Sequence, residues 1–186
     1  MSLLVDFKDM QDARARLHKA VRHTPVMPLA RNATEIGAEK LYIKCENLQV
    51  TGAYKVRAAF TMLDRLCAAQ KAKGVVLASS GNFAQGFAYA GRLMGIPIAV
   101  VQPMVEEVAA ARGMTAIDTW EEYWITAGHA SLGFEMCEDL PDVEQVLVPV
   151  SSGGVAGGVA AAVKHLRPDV RVIGVQPERA NAAYVS

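Results

Sequence analysis

No excess of charge of either sign is present: 19 Lys and Arg balance 19 Asp and Glu over 186 residues, and the pI is about 6.9. Such a chain has no global field to draw in DNA, RNA or an anionic membrane. Cysteine is scarce. Cys45, Cys67 and Cys137 are an odd, widely spaced set without a CxxC pair, which excludes a disulfide framework and a zinc ribbon and points to reduced thiols in a cytoplasmic protein. No apolar run approaches the ~18 residues of a membrane span. The longest, 95–101, is short and reads as a buried strand. Residues 1–10 carry Asp6, Lys8 and Asp9 and have no apolar core of a signal peptide. Aromatic residues make up only 6%, and Trp120 and Trp124, four apart, read as packing residues rather than a base-stacking platform. The four histidines are scattered. There is no HExxH, no metal-ligand cluster, no Ser/His/Asp order, no GxGxxG and no GxxxxGK[ST]. His129 lies in an apolar helical stretch, and His165 sits near a helix C-terminus, where the helix dipole accounts for it.

What is present is a hydrophobic fraction of 52%, ample for a packed core, in an alternation of helix and strand patterns. Helices are expected at 9–21, with Asp6 or Asp9 as cap, and at 53–73, closed by Gly74. Further helices are expected at 83–94, closed by Gly95, at 121–140 and at 155–166. Strands are expected at 41–45, 75–79, 97–101, 143–150 and 170–175. The stretch 105–119 begins as an Ala-rich helix and should end in a strand, but that strand is weak. Continuous apolar strands between amphipathic helices predict an α/β fold, a parallel sheet with helices on both faces. In such sheets ligands sit beyond the carboxyl ends of the strands. Three turns fall there, at 50–55, 79–82 and 151–154.

Each turn admits two interpretations. Lys55 follows Thr51-Gly52-Ala53-Tyr54 at a helix start, where the dipole is positive. That is poor ground for a structural cation and good ground for an amine that must be neutral part of the time, as a Schiff-base lysine must. The alternative is a solvated surface lysine. Ser151-Ser152-Gly153-Gly154-Val155, after an apolar strand and before a helix, either converges backbone N–H groups on a phosphate or is simply a tight turn. Ser79-Ser80-Gly81-Asn82 either binds a carboxylate or provides an N-cap through Ser80 or Asn82.

Taken together, the turns resemble a family. The run from Lys44 to Ala59, with Thr51-Gly52-Ala53-Tyr54-Lys55 at its centre, resembles the lysine motif of the fold-type II pyridoxal phosphate enzymes (the tryptophan synthase beta-like superfamily), nearest to the threonine/serine dehydratases and serine racemases. Ser79-Ser80-Gly81-Asn82-Phe83-Ala84-Gln85-Gly86 resembles their substrate-carboxylate loop. Val148-Pro149-Val150-Ser151-Ser152-Gly153-Gly154 resembles their phosphate loop, and Ile173-Gly174-Val175-Gln176-Pro177 the strand that follows. The resemblance implies pyridoxal 5'-phosphate as cofactor and Lys55 as the lysine that carries it and then acts as base at Cα. It implies that Asn82 meets the cofactor's O3′, that Ser151, Ser152, Gly153, Gly154 and Val155 hold the phosphate, and that Thr51, Ser79, Ser80 and Asn82 bind the substrate carboxylate. The implied reaction is loss of a β-hydroxyl from L-threonine or L-serine, giving a 2-keto acid and ammonia. Ser80 stands where serine racemases have an acid/base, which leaves racemisation open beside carboxylate binding alone.

The chain departs from the family pattern at several places. Ala53 replaces a serine, Tyr54 a phenylalanine, Phe83 a histidine, Gln176 a glutamate, and Ser151 and Ser152 two glycines. After Val100-Val101-Gln102-Pro103-Met104 the pattern jumps to Val105-Glu106-Glu107-Val108, which resembles a point well downstream. The resemblance therefore implies a truncated or gapped chain: residues about 55–104 as an incomplete small-domain portion, the remainder as a large-domain portion, and the pyridine-nitrogen ligand beyond Ser186. A homo-oligomer, dimer or tetramer, is implied as well. The other readings are a non-catalytic remnant and β-replacement as in cysteine synthases.

Overall fold

In the computed structural model, residues 5–102, 104–120 and 122–181 are described, with nothing said of the Ala180 side chain. The chain opens with α1 (Phe7–Ala15), whose cap is Asp6: its carboxylate accepts from the Lys8 N–H at 2.8 Å. The expected continuation to residue 21 fails. Arg16 leaves helical geometry, and 17–21 fold into local turns in which the His18 ring accepts from the Ala20 N–H. β1 (Val26–Pro28) and α2 (Ala30–Glu35) have no counterpart in the sequence pattern, because both are short and mostly exposed. β1 pairs antiparallel with β2 (Tyr42–Lys44).

The helix expected at 53–73 is two helices, α3 (Lys55–Arg65) and α4 (Ala68–Lys73). The apolar rhythm runs through the join, so periodicity is blind to it. Leu66 turns extended and buries its side chain, while the Gln70 side chain accepts from the Cys67 N–H at 2.9 Å, a local cap that replaces helix continuation. β3 (Val75–Ala78) and α5 (Asn82–Met94) follow, then β4 (Ile98–Val101), α6 (Val105–Arg112) and β5 (Thr115–Ile117). β4 and β5 flank β3, all parallel. The weak strand after 105 is thus real, and β4 is a half-exposed edge rather than a buried strand. α7 (Tyr123–Asp139), β6 (Gln145–Pro149), α8 (Gly154–Leu166) and β7 (Arg171–Val175) complete the order, with β6 and β7 parallel. The expected start of α7 at Glu121, like Pro103 and Ser186, lies outside the described residues.

The fold is α/β with parallel strands and packed helices, but the strands form two separate parallel sheets and an antiparallel ribbon rather than one sheet. α7, buried along most of its length, packs against α8, α3 and α1. α8 approaches it so closely that a Cβ on Gly158 would stand 2.4 Å from the Thr126 carbonyl oxygen, which only glycine permits. Of the two tryptophans expected to pack, Trp124 does, beneath the Arg65 guanidinium at 4.0 Å, whereas Trp120 is 67% exposed. His165 stacks on Phe7 with ring centroids 3.4 Å apart. Among the described residues no helix is long and apolar enough to cross a membrane.

Candidate cofactor site

Lys55 is the first residue of α3. Gly52, at φ +71°, makes the turn that leads into the helix, and the Thr51 hydroxyl donates to the Ala53 carbonyl at 3.3 Å. The ammonium has no carboxylate within ion-pair distance among the described residues. It rests instead over two rings, 4.1 Å from the Phe83 centroid and 4.9 Å from that of Tyr54. Burial lowers its pKa to about 8, so near-neutral solution already holds a useful fraction of free amine. Burial pushes the Tyr54 phenol up.

Phe83 brings the second turn to the same place. It sits in the first turn of α5, and α5 lies directly on the start of α3: a Cβ on Gly86 would be 3.3 Å from the Lys55 carbonyl carbon and from Val56. The N-cap position of α5 is Gly81, and the side chain that closes the turn before it is that of Ser79, not Ser80 or Asn82. The Ser79 hydroxyl accepts from the Gly81 and Ala84 N–H groups, both at 3.3 Å. Ser80 and Asn82 stay exposed with their side chains uncommitted among the described residues.

The third turn ends β6. Gly153 takes φ +94°, a left-handed conformation that strains any side-chain-bearing residue, and α8 begins at Gly154. The first intrahelical bond is from the Gly157 N–H to the Gly153 carbonyl, leaving the N–H groups of Gly154, Val155 and Ala156 without a backbone acceptor at the positive end of the helix. Ser151 and Ser152 are exposed beside them. Gln176 steadies the turn by donating to the Val150 carbonyl at 3.2 Å, and Val150 itself donates to Val175.

One residue that sequence reasoning passed over joins these turns. The His129 ring on α7 is fully buried, lies edge-on to Tyr54 at 5.2 Å and 6.0 Å from Phe83, and its Cδ2 would be 3.9 Å from a Cβ on Gly154. The rings that cradle the amine and the turn that opens α8 therefore share a neighbour. Nothing in the sequence signals this, since an isolated histidine in an apolar helix has no local pattern.

A second missed group lies behind α3. Arg57, fully buried, is gripped by Glu46 at 2.8 and 2.9 Å and by Glu135 at 2.6 and 2.9 Å, and also donates to Ser131 and to the Arg22 carbonyl. Lys44 joins Glu135 and Asp139 at 2.8 and 2.9 Å. Burial alone would lower the Arg57 pKa, and the two carboxylates outweigh it, so it is raised. The network fastens the start of α3 to the segment that follows β2 and to α7.

The sequence pattern of the family described as pyridoxal-phosphate dependent enzyme matches residues 17–106 and 102–186. The chain belongs to this family. The L-threonine dehydratase catabolic TdcB of Staphylococcus aureus strain N315 is 32% identical over 205 residues, covering 94% of this chain and 59% of that protein. Among solved structures, maize serine racemase superposes with a TM-score of 0.90 at 30% identity, over 94% of this chain and 62% of that one. The threonine deaminase of T.th. gives 0.87 at 32%, over 98% and 64%. The chain thus spans about three fifths of the length of these relatives. Family membership and the structural likeness give the chain the fold of the fold-type II pyridoxal phosphate enzymes, and the residues fit the cofactor at both ends. A half-buried amine of lowered pKa suits an aldehyde, and the α8 N-terminus with its unpartnered N–H groups suits a phosphate. Between them lies a polar ring whose two nitrogens have no partner.

Proposed function

We propose that this chain catalyses, or forms the lysine-bearing part of an enzyme that catalyses, β-elimination from L-threonine or L-serine to a 2-keto acid and ammonia. The observation that carries this is the desolvated, carboxylate-free Lys55 amine set between the substrate-loop helix α5 and, through Tyr54 and His129, the phosphate-loop helix α8. When bound, pyridoxal phosphate supplies an electron sink for negative charge at the substrate Cα. Lys55 holds the cofactor and then takes the Cα proton. The N–H groups of 153–155, with Ser151 and Ser152, hold the phosphate, and Asn82 hydrogen-bonds O3′. Thr51, Ser79, Ser80 and Asn82 bind the substrate carboxylate at the α5 N-terminus. The hydroxyl leaves Cβ as water and one water is taken up at Cα when the nitrogen departs as ammonia, so the overall balance consumes none. In this reading residues about 55–104 form the small-domain portion and the rest the large-domain portion.

Titration with pyridoxal phosphate tests the reading. The protein gains the visible absorbance of a lysine-bound cofactor, Lys55→Ala does not, and the loaded protein releases keto acid from L-threonine or L-serine. A protein that stays colourless at saturating cofactor overturns it. Racemisation is the second reading, favoured by one observation: the Ser79 side chain closes the turn before α5, which leaves the Ser80 hydroxyl free for proton transfer. Appearance of D-serine without keto acid, abolished in Ser80→Ala, decides for it.

A further inference from the structure

Buried polar atoms in folded proteins almost always have partners, so an orphan demands one. Among the described residues, both ring nitrogens of His129 and the Arg65 Nε are the buried side-chain atoms without a partner. Arg65 needs nothing more, because the same guanidinium is paired with Asp12. His129 has no such outlet. Its neighbours on one side are the Tyr54 and Phe83 rings, and on the other the opening turn of α8, where Gly154 and Gly158 approach its Cδ2 and Cβ. A leucine or phenylalanine would fill this space without an unsatisfied atom. A histidine suits a ligand that reaches it from the cofactor site.

Building on the cofactor reading above, we propose that His129 is a phosphate-binding residue: one of its ring nitrogens donates a hydrogen bond to the phosphate group at the α8 N-terminus. The ring edge that faces the turn is the Cδ2 edge, 3.9 Å from a Cβ on Gly154, and Nε2 is the nitrogen bonded to that carbon. Burial above all, and then the charges of Lys55 and Arg57, hold the His129 pKa at about 3, so the free ring is neutral and offers one N–H. A phosphate oxygen accepts that proton without requiring the ring to become charged, and the contact complements the backbone N–H groups of the turn that opens α8.

The test is made on the full chain. Wild type, His129→Leu and His129→Gln are titrated with pyridoxal phosphate and with pyridoxal, which has no phosphate, and the ³¹P resonance of the bound cofactor is recorded. His129→Leu weakens pyridoxal phosphate at least tenfold and pyridoxal less than twofold, and shifts the ³¹P resonance. His129→Gln, with an amide N–H near the Nε2 position, recovers affinity to within threefold of wild type. Unchanged affinity and ³¹P shift in His129→Leu overturn the proposal while leaving the Lys55 reading intact, as does equal weakening of both ligands, which marks a purely structural role. Should His129→Leu fail to fold, the ¹⁵N resonances of His129 in the wild type serve instead: they move on adding pyridoxal phosphate, and constancy overturns the proposal. Absence of a Lys55-dependent absorbance in the wild type overturns both readings at once.

Discussion

Two cations stand two residues apart at the start of α3 and are treated in opposite ways. Arg57 is sealed from water and closed in by two carboxylates, which keep it charged at any attainable pH. Lys55 is half-buried, has aromatic faces instead of anions around it, and has its pKa lowered to about 8. A two-residue step turns about 200° around a helix, so the pair points to opposite sides. One side spends its charge on holding the helix still, and the other keeps its amine uncommitted for chemistry. Perturbed groups mark functional sites only when the perturbation leaves them reactive. By that criterion the strongly bonded arginine is scaffold and the loosely held lysine is the reagent.

Breaking the scaffold side has the largest effect. Arg57→Met leaves Glu46 and Glu135 facing each other in the interior, and an unpaired buried charge costs about 3–5 kcal/mol. Urea denaturation of wild type and variant measures it; a loss below about 1 kcal/mol, the worth of a single ordinary hydrogen bond, would mean that the network does not hold α3. Glu135→Gln is milder, because Arg57 keeps Glu46 and Lys44 keeps Asp139. A loss of about 1–3 kcal/mol is expected by the same assay, with cofactor absorbance retained. If the absorbance disappears while the fold survives, scaffold and reagent are coupled rather than separate.

The reagent side gives the smallest effect, and its sign depends on pH. Lys55 carries a folded pKa near 8 against 10.5 for an ordinary lysine. Between those values the unfolded chain holds a proton that the folded chain has released, so stability rises with pH across this window. Below pH 8 the cost of burying the charged amine is fully present. Lys55→Met is therefore at least as stable as wild type at about pH 7, and its advantage fades from pH 8 to 10.5. Thermal melts over that range check the trend, and an advantage that grows with pH contradicts it.

The three turns were legible in the sequence because each is local. At the second and third, a strand end, small residues and a helix start lie within about six positions, and at the first Thr51-Gly52 closely precedes the helix start, so backbone geometry follows from them. Which side chain closes the turn before α5 was not legible: Ser79, Ser80 and Asn82 are equally competent hydroxyl or amide acceptors, and only the path of the chain out of β3 selects Ser79. The break after Arg65 was hidden for a related reason, since Leu63 and Leu66 continue a helical spacing while the Gln70 side chain ends it. β1 and α2 are too short and too exposed to leave a hydrophobic period.

By itself the sequence determined the α/β alternation, the lysine at a helix start and the glycine turn 98 residues later, because these rest on backbone preferences and short-range pattern. Tertiary structure alone decided that Arg57 meets Glu46 and Glu135, that the strands divide into two parallel sheets, and that His129 lies between the amine and the α8 turn. Burial and electrostatic pairing depend on distance in space, and residues 11 to 78 positions apart carry no periodic trace of the contact they will make.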